Sequence, residues 1–256
     1  MTTLHLPRLC VDSELKNLKG TYLDDGWILH AITSDCDIYD SETGAKILSF
    51  RKRSLTGTEE QLMNFVKLSR PSRGRGPSAG PIDPESIYWK KKTLINTKTS
   101  STGYLKGDGT PSKMQVSNNV FSTPIGYFNR IKSLGVDLPC RLSHYTSSHM
   151  KEYEGVIPYI EQIGSIYREL NKDAYDHQME RAMKRPQFRI GDTPFSTVTV
   201  NRTFRTGLHQ DAGDYGGVAC LSVLEHGEYG GGVLLFPAYG IGVDLRAGDM
   251  LVADVH

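Results

Sequence analysis

His209 and Asp211 are the two residues whose types and spacing point most directly to chemistry. In an extended chain, side chains two positions apart lie on the same side, so this imidazole and this carboxylate can bind one metal ion. A second histidine from a later strand would complete a set of two imidazoles and one carboxylate. Such a set leaves three coordination positions open, as non-haem Fe(II) oxygenases require. Taken alone, the spacing is also typical of a surface turn with two polar residues.

The segments around this pair predict β-strands separated by turns. Short apolar runs, divided by Gly and Asp and with no helix between them, cover residues 197–200, 218–224, 232–236, 241–245 and 250–253. Runs at this spacing are typical of an antiparallel sandwich or barrel. The last strand leads to His256, which is the candidate for the third metal ligand.

The middle of the chain predicts helices. Apolar residues at steps of three and four predict one helix over about 150–170, and a second follows over about 172–184. Pro158 is expected in the first turn of the first helix or at a break in it.

The N-terminal half predicts short strands and loops. Strands are expected at 27–29 and 46–50, whereas the Gly- and Pro-containing stretch 70–87 and the polar stretch 96–119 predict loops. We therefore predict an α+β fold. A loop-rich N-terminal region, residues 1–137, packs on a region of helices and a jelly-roll-like sheet core, residues 138–256.

The charge balance limits how the chain can meet nucleic acid. Thirty Lys and Arg nearly cancel 29 Asp and Glu, which leaves a net charge of +1. A protein that merely coats nucleic acid is usually more basic, so any contact here must come from local clusters. The candidates are two basic clusters that flank an aromatic pair: Arg73 and Arg75 in a Gly-rich loop, Lys90 with the two lysines after it, and Tyr88 with Trp89. The alternatives are a solvated loop for the cations and core packing for the aromatic rings.

Cysteine usage and hydropathy bear on the compartment. The four cysteines form no C-x-x-C pair, and neither a secretory signal nor an apolar run of about 20 residues is present. We expect reduced thiols in a cytoplasmic or nuclear protein that does not enter a membrane.

The residues before and after the His-x-Asp pair carry a family resemblance. The run 193–206, the following His209-Gln210-Asp211, Asn201 eight positions before the histidine, and the glycine-opened strand after Tyr229 agree in order and spacing. They resemble the TET/JBP family of nucleic-acid base dioxygenases, most closely its algal, viral and fungal-type branch. The resemblance is strong over residues 190–256 and weaker upstream.

The resemblance implies a fold, a site and a reaction. The fold is a double-stranded β-helix, in which His209 and Asp211 bind Fe(II). Asn201 is implied to contact the base or the co-substrate, with Arg202 close enough to contact substrate or to orient the ligands. The implied activity is 2-oxoglutarate-dependent oxidation of the methyl group of 5-methylcytosine or thymine in DNA, and ascorbate replaces 2-oxoglutarate in some algal-type relatives.

The C-terminus departs from the family pattern. The resemblance implies a further turn and strands after His256, with an arginine that grips the far carboxylate of the co-substrate. The chain is therefore expected to be C-terminally truncated, or else Arg202, Arg205 or Arg246 takes that role. The third iron ligand is correspondingly His256 or a residue beyond it. Two other functions stay open: a prolyl or small-molecule hydroxylase on the same fold, and an inactive truncated relative.

Overall fold

The computed structural model describes residues 1–19, 21, 23–72, 79–81, 120–128, 140–210 and 218–255. These residues contain five α-helices: α1 (Asp12–Leu18), α2 (Glu59–Leu68), α3 (His144–Ser148), α4 (Met150–Leu170) and α5 (Lys172–Ala182). The first seven strands are β1 (Thr2–Leu6), β2 (His30–Ile32), β3 (Cys36–Asp40), β4 (Lys46–Arg51), β5 (Pro71–Ser72), β6 (Ala79–Pro81) and β7 (Val120–Phe128). Seven more are β8 (Arg141–Leu142), β9 (Thr197–Arg202), β10 (Phe204–Thr206), β11 (Val218–Ser222), β12 (Leu234–Phe236), β13 (Ile241–Val243) and β14 (Met250–Asp254).

Two sheets join strands from both ends of the chain. The larger has the order β1-β3-β4-β14-β11, and the smaller has the order β12-β13-β2. In the larger sheet β14 lies antiparallel to both neighbours, with Leu251 opposite Phe50 of β4 and Leu221 of β11. In the smaller sheet β13 runs parallel to β2. N-terminal strands are thus hydrogen-bonded members of the same sheets as C-terminal strands.

Strand β14 separates two parts of the core. Leu251 and Ala253 belong to the cluster between the two sheets, whereas Met250 and Val252 pack against the helices. This division follows from the alternation of side chains along a strand, and all four residues are buried. The larger sheet therefore lies between the smaller sheet and the helical layer.

Helix α4 is the centre of that helical layer. Tyr159 and Tyr167 on one side pack towards β14, and Val156 and Ile160 on another side pack with Ile125 of β7. β7 pairs antiparallel with β9, so this second side of α4 supports the strand that carries Asn201.

The predicted position of Pro158 is wrong. It lies neither in the first turn of α4 nor at a break, because the helix continues from Met150 to Leu170 around it. Pro158 and Glu154 are both exposed, so water can bond to the Glu154 carbonyl, which loses its usual amide donor.

Two N-terminal predictions also need correction. Residues 27–29 do not form a strand: a 3-10 helix spans Asp25–Trp27, because the Asp24 side chain accepts a hydrogen bond from the Gly26 amide at 3.1 Å, and β2 begins only at His30. Within the predicted loop 70–87, the structure has the short strands β5 and β6. The predicted loop 96–119 lies outside the described residues.

The α+β class, both middle helices, the strand at 46–50 and the five C-terminal strands are confirmed. The division at residue 137 falls outside the described residues and stays a prediction. The four cysteines are free, as expected. In the described part of the chain, the helices are too short or too polar to cross a bilayer.

Candidate active site

The candidate site begins where the backbone changes direction between β9 and β10. β9 pairs with β7 and ends at Arg202, while β10 pairs with β6. Between them Thr203 has a φ of 48°, a left-handed conformation that β-branched residues rarely adopt. The chain therefore leaves one sheet at Arg202 and joins another strand pair at once.

The chain after β10 brings His209 to the surface. The Leu208 amide donates a hydrogen bond to the Thr21 carbonyl at 2.8 Å, and Gly207 is buried. The exposed His209 ring has its Nδ1 atom 2.9 Å from the Gly207 carbonyl oxygen. A carbonyl only accepts, so Nδ1 carries the proton and a metal ion would bind through Nε2. A ring nitrogen held by a backbone carbonyl in this way is typical of metal-binding histidines, so His209 fits Fe(II).

The other two predicted iron ligands, Asp211 and His256, lie outside the described residues. Among the residues that are described, no three His, Cys, Asp or Glu side chains come together as a metal site. Two strands border these positions in the chain and pair with each other: Val218, which opens β11, lies opposite Asp254 in β14. The ligand set therefore stays a prediction, with His209 as its described member.

Asn201 and Arg202 lie next to each other on β9 but have different surroundings. Asn201 is exposed and pairs with Ser122 of β7. Arg202 places its guanidinium carbon 4.0 Å from the centroid of the Phe121 ring, a cation–π contact that fixes the direction of the side chain. Arg205, which is exposed on β10, pairs with Gly80 of β6.

The described residues before Arg73 and after Arg75 lie beside these strands. Before Arg73, the Arg70 amide donates a hydrogen bond to the hydroxyl of the buried Thr123 at 2.9 Å, and β5 pairs with β7. After Arg75, Ala79 of β6 pairs with Thr206, three positions before His209. The two arginines themselves, and the predicted contact residues Tyr88, Trp89 and Lys90, lie outside the described residues.

Arg246 holds a turn together. Its guanidinium lies 2.6 Å from an Asp244 carboxylate oxygen and donates a hydrogen bond to the Gly231 carbonyl at 3.3 Å. It also stacks on the Tyr229 ring, 4.5 Å from the centroid. The hydrogen bond to Asp244 is the main cause of the raised pKa of Arg246. This arginine therefore supports the glycine-rich turn before β12.

The sequence did not reveal the residues that fix the site from a distance. The Thr21 carbonyl accepts a hydrogen bond from the Leu208 amide, and the Thr123 hydroxyl accepts one from the Arg70 amide. Both contacts join segments that are far apart in the sequence. A lone threonine in the sequence carries no signal for such a contact.

Comparison with known proteins identifies the family. The Tet_JBP oxygenase domain of the 2OGFeDO superfamily matches residues 123–256. "Thymine dioxygenase JBP1" of Trypanosoma brucei brucei is 38% identical over 132 residues, which are 51% of this chain and 15% of that protein. The protein of the same name from Crithidia fasciculata is 30% identical over 176 residues, 66% of this chain and 21% of that protein.

A third relative has the same name as these two. "Thymine dioxygenase JBP1" of Leishmania infantum is 33% identical over 132 residues, 51% of this chain and 16% of that protein. The chain thus spans about a fifth or less of the length of these relatives. No solved structure gives a significant match. Because the matched oxygenase domain takes up more than half of the chain and includes His209, the chain belongs to the Tet_JBP family, which confirms the family predicted from the sequence.

Proposed function

We propose that this chain is an Fe(II)- and 2-oxoglutarate-dependent dioxygenase that hydroxylates the methyl group of a pyrimidine base in DNA. The observation that carries the proposal is the family match over residues 123–256, which contains the His209-x-Asp211 pair at the exit of β10. Thymine is the preferred base, because the relatives are named thymine dioxygenases. 5-Methylcytosine is the second candidate. The comparisons name a 2-oxoglutarate superfamily and give ascorbate no support.

His209, Asp211 and His256 are the proposed iron ligands. The pairing of β11 with β14 supports this set, because Val218 follows Asp211 by seven positions and lies opposite Asp254, two positions before His256. Two extended residues span at most about 7 Å and seven span at most about 25 Å, so the pairing limits how far apart the two predicted ligand positions can lie. Fe(II) together with 2-oxoglutarate and O₂ supplies the oxidising chemistry when bound, and the protein's task is to orient the substrate and exclude water.

The proposed scaffold for this site is a double-stranded β-helix. Its support is the arrangement of the larger and smaller sheets, which face each other across one apolar cluster. The sharp turn at Thr203 is the kind of feature that lets a strand pass from one sheet to another.

Asn201, Arg202 and Arg205 are the proposed contacts with the organic ligands. Asn201 is exposed beside Arg202, so its amide is placed to bond to the edge of a base or to the co-substrate. Arg202 and Arg205 are the candidates for the far carboxylate of 2-oxoglutarate, since a guanidinium binds a carboxylate through two parallel hydrogen bonds. Arg246 is a weaker candidate because it is bound to Asp244 and the Gly231 turn.

DNA contact is proposed for Arg73 and Arg75. The support is the pairing of β5, which ends one position before Arg73, with β7, and of β6, which begins four positions after Arg75, with β10. Tyr88, Trp89 and Lys90 come shortly after β6 and are proposed to contact the extruded base and its phosphates. Such a base leaves the duplex at a cost of a few kcal/mol, which stacking and edge hydrogen bonds offset.

The test is oxidation of defined duplexes. The chain is incubated with Fe(II), 2-oxoglutarate and O₂ and a duplex containing thymine or 5-methylcytosine, and nucleosides and succinate are quantified by mass spectrometry. We expect a hydroxymethyl base and an equal amount of succinate. His209→Ala should lose both products and also tight Mn(II) binding, because one of three metal ligands is removed.

His226→Ala is the matched control, because His226 is also exposed and lies near Glu59 rather than near β10. It should keep Mn(II) binding and product formation. Tight Mn(II) binding with hydroxylation of a proline peptide and of neither duplex would contradict the DNA proposal. Absence of Mn(II) binding by the unaltered chain would favour an inactive relative.

A further inference from the structure

The C-terminal end of α5 carries a cluster of exposed cations that the proposed site does not use. Arg181, Lys184 and Arg185 are all exposed, within a stretch of five residues. The other side of the helix is fixed in the core, where Tyr175 is buried and packs on Tyr167. Lys184 and Arg185 lie in the turn directly after α5, and this turn is held to the helix because their amides donate hydrogen bonds to the Arg181 and Ala182 carbonyls at 3.2 and 3.0 Å.

Two of these cations are not neutralised within the described part of the chain. Lys184 and Arg185 come within ion-pair distance of none of its carboxylates, even though Glu180 lies four positions before Lys184. Within the described residues, the only side-chain hydrogen bond of Lys184 and Arg185 is local: the Arg185 guanidinium donates to the Lys184 carbonyl at 2.8 Å. Nearby basic residues differ, since Arg189 pairs with Asp192 at 3.1 Å and Lys172 pairs with Asp176. Two adjacent unpaired cations create a local positive potential on a chain with a net charge of only +1.

Helix α5 also contacts the strand that follows the iron-binding motif. The Gln178 side-chain amide lies 3.5 Å from the carbonyl oxygen of Val218, the first residue of β11. Lys184 is six positions further along, four of them helical and two in the turn after α5, which gives at most about 13 Å along the chain. The cluster therefore lies near the end of the β11–β14 pair where Asp254 precedes His256.

We propose that Lys184 and Arg185 form a second phosphate-binding surface for duplex DNA, separate from the one proposed for Arg73 and Arg75. This inference rests on the proposed function. An enzyme that extrudes a base must hold the backbone on both sides of the target nucleotide, and phosphate contacts supply that positioning without reading sequence. The turn after α5 supplies one such basic surface, on a helix that contacts β11, and the other is proposed for Arg73 and Arg75, which lie between β5 and β6 in the sequence.

The experiment compares two double variants that remove the same charge. Lys184→Gln with Arg185→Gln removes the proposed contacts. Lys52→Gln with Arg53→Gln is the control, because these two are likewise an adjacent, exposed Lys-Arg pair but follow β4 at the Met250 end of β14. Affinity for a short duplex is measured by fluorescence anisotropy over a series of salt concentrations, and thermal melting checks that both variants are folded.

We expect the slope of log K against log salt to become shallower by about 2 for the Lys184/Arg185 variant, since each phosphate contact contributes about 0.9. The control should keep the slope of the unaltered chain, and Mn(II) binding should be the same in all three proteins. An unchanged slope for the Lys184/Arg185 variant, with salt-dependent binding by the unaltered chain, overturns this inference and leaves the proposed function standing. Salt-independent binding by the unaltered chain overturns both.

Discussion

At the scale of single residues, Asp40 joins parts of the chain that are far apart in sequence. One carboxylate oxygen accepts hydrogen bonds from the Glu42 and Thr43 amides at 2.8 and 2.7 Å, and the other accepts from the Tyr239 hydroxyl at 2.8 Å. The hydrogen bond from the Thr43 amide is the main cause that lowers the pKa of Asp40 to about 2. The Tyr239 bond ties the end of β3 to the segment between β12 and β13.

This carboxylate predicts a component of stability that acid removes. The folded pKa of Asp40 lies below the value of about 3.9 in an unfolded chain, so ionisation stabilises the fold above that value, and the contribution is lost as the pH falls towards 2. Asp40→Asn should therefore unfold at lower urea than the unaltered chain at pH 6, and the difference should shrink between pH 5 and pH 2.5. Urea midpoints at each pH measure this. Glu42→Gln, an exposed neighbour in the same turn, is the control, and a constant Asp40→Asn deficit at every pH would contradict the prediction.

The sequence predicted the strand over residues 197–200, because strand signals are local, and the structure extends it through Asn201 to Arg202. It did not predict β10, the strand that His209 follows. The contact of Arg202 with Phe121 could not be predicted from the sequence, because it depends on the register of β7 against β9, which no local pattern encodes. Whether Asp211 and His256 complete the ligand set stays a prediction.

At the scale of elements, the position of β7 depends on Gly126, where a side chain would clash with its neighbours. Gly126 has a φ of +96°, and a Cβ there would lie 2.5 Å from the Ser196 carbonyl oxygen and 2.8 Å from the Ile190 side chain. Its amide also donates a hydrogen bond to the Thr146 hydroxyl at 3.2 Å. The close approach of β7 to the start of β9 depends on this missing side chain.

Gly126→Ala should therefore destabilise the fold by about 2–5 kcal/mol, as the sum of about 1–2 for the left-handed backbone and about 1–3 for overpacking. Gly44→Ala is the matched control, because Gly44 has a φ of +71° but open space around its Cβ position. It should lose only about 1–2 kcal/mol. Urea unfolding of both variants measures the difference, and equal losses would show that the contact with Ser196 is relieved without cost.

The strands and helices with strong periodicity were predicted from the sequence. Helix α2 was not predicted, although the sequence contains a signal for its start. Thr58 and Gln61 form a capping box, in which each side chain accepts from the backbone amide of the other. Thr58 and Gln61 are three positions apart, as a capping box at the start of a helix requires. The parallel pairings of β1 with β3 and of β2 with β13 carry no such local signal, because both depend on long connections.

At the scale of the whole molecule, the N-terminal strands complete the sheets that the matched oxygenase segment begins. A truncated chain of residues 120–256 lacks β4 and β2, the neighbours of β14 and β13. It also loses Ile38, Leu48 and Phe50 from the apolar cluster between the sheets. We expect this truncated chain to lack a cooperative thermal transition and near-ultraviolet circular dichroism, since buried strands would be left with open edges.

A chain that lacks only residues 1–9 is the control for this truncation. It loses β1, which is the last strand at one edge of the larger sheet. It should melt cooperatively at a lower temperature than the full chain. A cooperative transition of the 120–256 chain would instead support an oxygenase core that is independent of the N-terminal region.

The pairing of β4 with β14 also has a consequence during translation. Phe50 and Leu251 are partners, yet about 200 residues separate them in the chain. At 5–20 residues per second, roughly 10–40 s pass between their emergence from the ribosome. Throughout that interval the nascent β3–β4 hairpin has Leu48 and Phe50 uncovered. Newly made chains are therefore prone to self-association, or need a chaperone, until β14 has emerged and pairs with β4.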